Sequence, residues 1–577
     1  VKAFRVFGAF LFPAVVIVAL NSHTQAAETE TAPAPAAVPL ATVGPELGST
    51  LSGNFLAGRF AQRQQDWESA QGYMNAVMSF DGDNALLQQR TFLLTIGARQ
   101  YDRAKALAEK ISARPDGSEL AAIYLACDAL AKEDFKAAQK HIARLPEDGF
   151  GQYTKPLLNA WSLVGLGKKK EALKLLRENA DQDDPTFNVH AGLMAELAGD
   201  KKLAAKHYTV AMKNGLTLHT AVLVANFFMQ EGQKETAETI YSSLGRLFPF
   251  NPFAGEQGLK TRPNITRAAD GAAIALYDLA TLLYERRAYD SAQIYGSMVL
   301  LLSPSSPFGM MMMGDIAALN ERHDKAIEEY NAVADTSPLY WLSRMRVAEV
   351  YEAGNRMPDA VAMLEKLSHD KTTRLQALVS LGDMYRRHED YASALKAYDE
   401  AITSVPKITE EHWPIVYARG MSLERLKNWD RAEKDLLQAL AFQPDNPMIL
   451  NFIGYSWADK GLHLDQALDF IGRAVAQRPD DGYIVDSYGW ALFKTGKYDQ
   501  SIEWLEKAVG IIPDDPTILD HLADAYWQSG RAAEARFKWR RAHELSKDNS
   551  FRAALNQKIL KGPEAPTPVV AQKDTHL

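Results

Sequence analysis

The sequence predicts an all-α chain, an α-solenoid of about fourteen antiparallel helix pairs arranged in two halves. Two observations predict it. The first is a 34-residue pattern written almost three times between Asn451 and Ala542: Asn451-Phe-Ile-Gly-Tyr-Ser-Trp457, Asp486-Ser-Tyr-Gly-Trp490 and Asp520-His-Leu-Ala-Asp-Ala-Tyr-Trp527. About a dozen residues after each copy comes a small residue, Ala467, Ser501 or Ala535, and then a large one. Repetition at this period marks units that pack only on their neighbours, so a chain of 577 residues need not split into several globular domains. The second is punctuation. Glycine recurs at Gly167, Gly199, Gly232, Gly461, Gly496 and Gly530, where a left-handed turn residue is cheapest. Proline recurs at Pro249, Pro304, Pro338, Pro406, Pro444 and Pro513, where it lacks a donor and stops a helix.

These residues resemble the tetratricopeptide repeat (TPR) family. The resemblance implies two helices per unit, A and B, with small residues at positions 8 and 20 where they approach. Position 8 then falls at Gly58, Phe92, Ala126, Ala160, Gly192 and Ala225, and again at Ala280, Gly314, Ala348, Gly382, Gly420, Gly454, Gly489 and Ala523. Position 20 follows at Ala70, Ala104, Ala138, Ala172, Ala204, Ala237, Ala292, Ala326, Ala360, Ala394 and Ala432, continuing into Ala467, Ser501 and Ala535. Phe92 departs from the pattern. Helices of about twelve to fourteen residues are marginal alone, so the pairs must stack. The resemblance implies that they wind into a right-handed TPR superhelix whose concave groove is lined by helix A.

The longest interval, between Ala225 and Ala280, divides the array. Residues 49–250 are expected to hold six degenerate repeats and 271–548 eight clearer ones. The connecting insert 251–270 is read as a seam, and 549–577 as a cap followed by a disordered tail. At the other end, Lys2 and Arg5 precede the apolar run Val6 to Leu20, and small residues follow at Ala26 and Ala27. That layout predicts a secretory signal peptide over 1–26, since the run is shorter than the roughly 20 residues of a spanning helix. Residues 27–48, rich in alanine and proline, are expected to be a flexible linker. No transmembrane segment is then expected in the mature chain, which is placed in the periplasm.

Composition narrows the function classes. Charged residues at 24% and apolar ones at 47% suit a folded chain, and a net charge of -8 gives no footprint for nucleic acid. The lone Cys127 excludes internal disulfides and cysteine-based zinc sites, and reads as a small buried hydrophobe. There is no HExxH and no GxSxG motif. Gly165-Leu-Gly-Lys168 lacks the spacing of a phosphate loop, and the tetrad Met310 to Met313 reads as packing. No catalytic residue, metal ligand or cofactor is predicted.

What remains is a binding surface. In TPRs helix A positions 2, 5, 9 and 12 face the groove. That places Tyr483, with Met448, at position 2, and Asn451, Asp486 and Asp520 at position 5. Position 9 is Tyr455, Trp490 and Asp524, and Phe493 and Trp527 stand at position 12. An aromatic strip beside carboxylates suits an extended peptide or a partner helix of basic or neutral character. Replacing Trp490 and Asp520 is expected to weaken partner capture with the fold intact. The last three repeats resemble exported bacterial TPR proteins, some of which act as adaptors for envelope proteases. The resemblance implies a non-enzymatic scaffold or adaptor. An assembly factor for surface polysaccharide, pilus or outer-membrane components is the alternative.

Overall fold

The computed structural model describes residues 48, 50–114, 117–147, 151–179, 184–213, 215–243, 265–337 and 339–563. The expected signal segment 1–26, nearly all of the linker, residues 251–264 of the insert and the tail beyond 563 lie outside them. Among the described residues all regular structure is helical.

Two compact units divide the chain, Ala32–Ala377 and Leu378–Leu577. The first holds α1 (Leu51–Arg63), α2 (Trp67–Phe80), α3 (Ala85–Gly97), α4 (Tyr101–Ser112), α5 (Glu119–Ala131), α6 (Phe135–Ile142), α7 (Gly151–Gly165), α8 (Lys169–Asn179), α9 (Pro185–Leu197), α10 (Lys201–Lys213), α11 (Leu218–Gln230), α12 (Lys234–Ser243), α13 (Ala268–Glu285), α14 (Tyr289–Leu302), α15 (Pro307–Leu319), α16 (His323–Asn331), α17 (Tyr340–Ala353) and α18 (Met357–Ser368). The boundary falls in the first turn of α19 (Arg374–Arg387). Beyond it come α20 (Tyr391–Ser404), α21 (Trp413–Arg425), α22 (Trp429–Phe442), α23 (Pro447–Lys460), α24 (Leu464–Gln477), α25 (Gly482–Lys494), α26 (Tyr498–Ile511), α27 (Pro516–Gln528), α28 (Ala532–Leu545) and α29 (Asn549–Lys561). Odd-numbered helices up to α27 are helix A of a pair, and α29 stands unpaired.

Local chemistry sets this alternation. Every pair turns from helix A to helix B through a left-handed residue at the same place, and the α23–α24 turn adds His463 at φ 42°. Six are the expected glycines; the other eight are Gln65, Arg99, Glu133, Arg287, Glu321, Asn355, Glu389 and Lys427, with φ between 55° and 61°. The sequence reading marked only the glycines, because a left-handed side chain costs roughly 1–2 kcal/mol and leaves no trace in composition. Helices α14, α20, α22 and α26 end two residues before Pro304, Pro406, Pro444 and Pro513. The residues that follow restart the chain: Asn446, Asp481 and Asp515 cap α23, α25 and α27 by accepting from backbone N–H groups of the first turn.

Packing follows the 8/20 register. Ala70, Ala104, Ala138 and every later position-20 residue through Ala535 are fully buried. Glycine at position 8 makes room for a large residue sixteen later. A Cβ on Gly192, Gly314 or Gly382 would stand 2.4, 2.4 and 2.5 Å from a ring carbon of Tyr208, Tyr330 and Tyr398. Phe92 inverts the arrangement: with a large residue at position 8, position 24 is Ala108, and both are buried. The volume is conserved while its location swaps.

In the first unit the concave face is filled by its own chain. α13 packs on α5, α7 and α9, and α14 on α3 and α5, all of them helices A. Small residues allow the approach: a Cβ on Gly271 would lie 2.3 Å from Trp161. Both faces of α5 are therefore covered, and Ala121 through Leu130 are all buried, including Cys127, whose thiol pKa burial pushes well up. Polar contacts finish the union. Tyr101 donates to the Ser297 carbonyl at 2.9 Å, Gln293 to that of Gly97 at 3.2 Å, and Arg322 to that of Gln65 at 2.6 Å. The compact units part at 377/378, with α13 and α14 packed on the N-terminal helices and Arg322, at the start of α16, tied to them through Gln65 and Asp66.

Candidate functional site

In the second unit helices α21, α23, α25 and α27 present the groove register, and it is here that the nine expected partner-binding residues lie. The structure sorts them into two groups. Tyr483 is 58% exposed, beside Met448 at 46%, and Asn451, Tyr455, Phe493 and Trp527 are half-buried. Asp486, Trp490, Asp520 and Asp524 are between 6% and 8% exposed. The expectation that these four form open rungs is corrected.

The reason is an interlocked set of rings and charges that spans five helices. Trp490 on α25 is stacked with Phe493, 4.8 Å away at 9°, and with His521 of α27, 4.1 Å away at 15°. Tyr455 of α23 flanks the same imidazole at 6.4 Å. His521 in turn places Nδ1 3.0 Å from both oxygens of Asp486. Burial of the ring opposes its protonation, but the charge and hydrogen bond of Asp486, with Asp520 and Asp524 behind, outweigh it and hold the His521 pKa above its ordinary value.

The other two carboxylates are held by α29. Lys558 Nζ lies 2.7 and 2.9 Å from the Asp520 oxygens and 2.9 and 2.8 Å from those of Asp524. Trp539 of α28 also donates to Asp524 Oδ1, at 3.1 Å. Burial and the neighbouring Asp520 push the Asp524 pKa up to about 6, against the pull of Lys558. Burial works against the Lys558 charge, yet the two carboxylates raise its pKa. Trp527 sits against Trp539, 5.5 Å between centroids, and under the backbone of Gly562.

A sequence signal for this pairing existed. Asp524 and Trp539 are fifteen residues apart, position 9 to position 24 across one helix pair. The same interval joins Asp315 to Tyr330 and Asp383 to Tyr398, each tyrosine donating at 2.6 Å. An acid at position 9 followed by a ring donor fifteen residues later is thus a partnered acid. Asp383 also meets Arg386 at 3.3 Å, and Glu424 meets Lys460 at 3.1 Å. The partners of Asp486 and Asp520 lie 35 and 38 residues on, in the next unit, where no short motif reports them.

What stays accessible is narrower than the expected strip. It comprises Tyr483 and Met448 at the N-terminal ends of the helices and Asn451 and Tyr455 behind them, with the Asn451 Oδ1 buried and without a hydrogen-bond partner among the described residues. Met311, Met312 and Met313 are buried. No group of three or more His, Cys, Asp or Glu side chains among the described residues is arranged to hold a metal ion. No described helix is long and apolar enough to cross a membrane.

The family model described as tetratricopeptide repeat matches residues 311–370 and 417–482, and the one described as TPR repeat matches 489–530. The TPR repeat-containing protein PA4667 of Pseudomonas aeruginosa is 27% identical over 186 residues, 32% of this chain and 31% of that protein. Protein O-mannosyl-transferase Tmtc2 of Drosophila melanogaster is 27% identical over 146 residues, 25% of this chain and 15% of its own length. The chain thus spans under a third of each of these relatives. Among solved structures, the APC/C hetero-tetramer Cut9-Hcn1 covers 89% of the chain and 97% of its own at 16% identity and TM-score 0.37. The Thermus thermophilus TPR protein TTC0263 covers 32% and 99% at 22% identity and TM-score 0.28. Residues 311–370, 417–482 and 489–530 are thus tetratricopeptide repeats, and the helix pairs with their 8/20 packing carry the same all-α solenoid architecture through the described residues; such repeats serve as scaffolds for protein–protein interaction.

Proposed function

We propose that this chain is a non-enzymatic scaffold of the bacterial periplasm that holds a partner protein against the helix A face of its second unit, as an adaptor to an envelope protease. The observation that carries the binding reading is the difference in occupancy between the two arrays. Helices A α3, α5, α7 and α9 of the first unit are covered by α13 and α14, whereas Tyr483 and Met448 of the second unit are exposed groups on helices A that also carry the half-buried Asn451 and Tyr455. Aromatic side chains on a rigid scaffold bury much area at little entropic loss, which is why they anchor interfaces. The periplasmic part rests on the basic and apolar layout of residues 2–27.

The test is capture from an envelope fraction with full-length chain, comparing wild type with a Tyr455→Ala/Tyr483→Ala variant and identifying bound proteins by mass spectrometry. A processing protease enriched by wild type and lost from the variant is the expected result. Enrichment that the variant keeps in full removes this surface from the reading, and polysaccharide-export or pilus components would replace the adaptor role by assembly. Intact mass of the exported protein is expected to start near Ala27; a full-length chain in the membrane fraction overturns the export reading.

A further inference from the structure

The last helix carries an observation that the scaffold reading does not use. α29 starts on its own cap, Asp548, which accepts from the N–H groups of Ser550 and Phe551 at 2.7 and 3.1 Å. It packs on α28 where a further helix A would follow, but no helix B covers it among the described residues. Thirteen residues are marginal as a helix on their own, so its tertiary anchors decide whether it stays. Leu555 is fully buried with Leu519, Leu522 and Trp539. Three residues on, Lys558 reaches the Asp520–Asp524 pair, whose side chains are only 11% and 10% exposed. Arg536 donates to the Ile559 carbonyl at 3.1 Å. Its outward residues, from Ala553 and Ala554 to Leu560, are exposed.

Two carboxylates chelating one ammonium, with the Trp539 indole N–H also on Asp524, form a finished lysine site. Such a pair is unstable when buried without a cation, since the charges repel and neither is solvated. Without α29 it would be an open, strongly acidic notch beside apolar Leu519 and Leu522, in continuation of the helix A face.

We propose that Asp520 and Asp524 form a recognition site for a lysine carried on an amphipathic helix, occupied in the resting chain by Lys558 of α29 and taken by a partner helix of the same pattern, an apolar residue followed three positions later by lysine. The proposal rests on the scaffold reading and adds to it the chemistry of the partner and a competitor within the chain. The occupant itself shows which chemistry fits: an apolar anchor at Leu555 and an ammonium at Lys558 on one helix face. A partner that takes the place of α29 pairs the same carboxylates, so the notch is never left without a cation.

The probe is a labelled synthetic peptide with the sequence Asn549–Lys561, titrated against full-length chain. The Lys558→Met chain, which keeps the apolar stem and loses the resident ammonium, is expected to bind it at least tenfold more tightly than wild type. The same peptide carrying Lys558→Ala is expected to bind neither chain. Equal affinity for wild type and Lys558→Met, or binding that ignores the peptide's lysine, overturns the proposal. A fold check comes from hydrogen exchange. Excess peptide is expected to speed amide exchange in α29 of wild type at least tenfold, with α21 to α27 unchanged, and unaltered α29 exchange overturns the proposal even if Lys558→Met misfolds. Should the chain instead dimerise by trading α29 between copies, mass would double with concentration and the partner assignment would fall. Capture that depends on Tyr455 and Tyr483 reads the scaffold separately, so either idea can fail alone.

Discussion

The two units use one repeat for different ends. In Ala32–Ala377 the helices A α3, α5, α7 and α9 are a socket for the chain's own α13 and α14, whereas in Leu378–Leu577 the helix A positions carry rings and acids that are part locked and part accessible. Small residues make the difference. α13 has Ala268, Ala269, Gly271, Ala272, Ala273 and Ala275, so its backbone can lie close against Trp161 and its neighbours, and the facing helices become apolar all round. The second unit places Tyr455, Trp490 and Asp524 at position 9, too bulky or polar for such an approach. A solenoid can therefore spend a groove on stability in one stretch and keep it for recognition in another.

The largest effect is expected from Trp490→Ala. As a ring stacked with Phe493 and His521 and 8% exposed, it is expected to take roughly 3–5 kcal/mol from the second unit in urea unfolding. A loss below about 1 kcal/mol would return Trp490 to the accessible surface, as first expected from its position. Next, Gly271→Leu drives a side chain into Trp161 and is expected to destabilise the first unit by about 1–3 kcal/mol, while hydrogen exchange in α21 to α28 stays as in wild type. If the first unit is indifferent, α13 is not its filling.

A pH titration has a smaller effect and a defined sign. Asp524 is raised from an ordinary 3.8 to about 6, so its contribution is present below pH 4 and is lost as pH rises through 6. His521 acts in the same sense, since its folded pKa lies above the ordinary 6.5 and its contribution fades as pH climbs past that folded value. Amides of α27 to α29 are therefore expected to be better protected at pH 5 than at pH 8, by on the order of 1 kcal/mol. Protection that grows with pH would mean the carboxylates are not confined as described. The smallest effect is Lys427→Gly at a left-handed turn, φ 60°, where relief of the side-chain strain is expected to raise the stability of the second unit by less than about 1 kcal/mol after the entropy of the unfolded glycine is subtracted, read as a small rise in the melting midpoint. A clear loss there would show that the Lys427 side chain contributes more than its backbone strain removes.

The number of helix pairs, the small residues between them, the glycine turns and the helix stops were legible in the sequence, because each depends on residues within one 34-residue unit. Ala467, Ser501 and Ala535 stand where the pattern placed them, fully buried. The site was legible only as a set of positions. Asn451, Tyr455 and Tyr483 keep some access, but the state of Asp486 was decided by His521 and that of Asp520 by Lys558, each from a neighbouring unit. The filling of the first groove joins residues such as Tyr101 and Ser297, about two hundred positions apart. Local period is fixed by short-range sterics and hydrogen bonds, which a sequence writes directly. Which faces meet after many units have stacked depends on the summed geometry of all of them, and that only the tertiary structure decides.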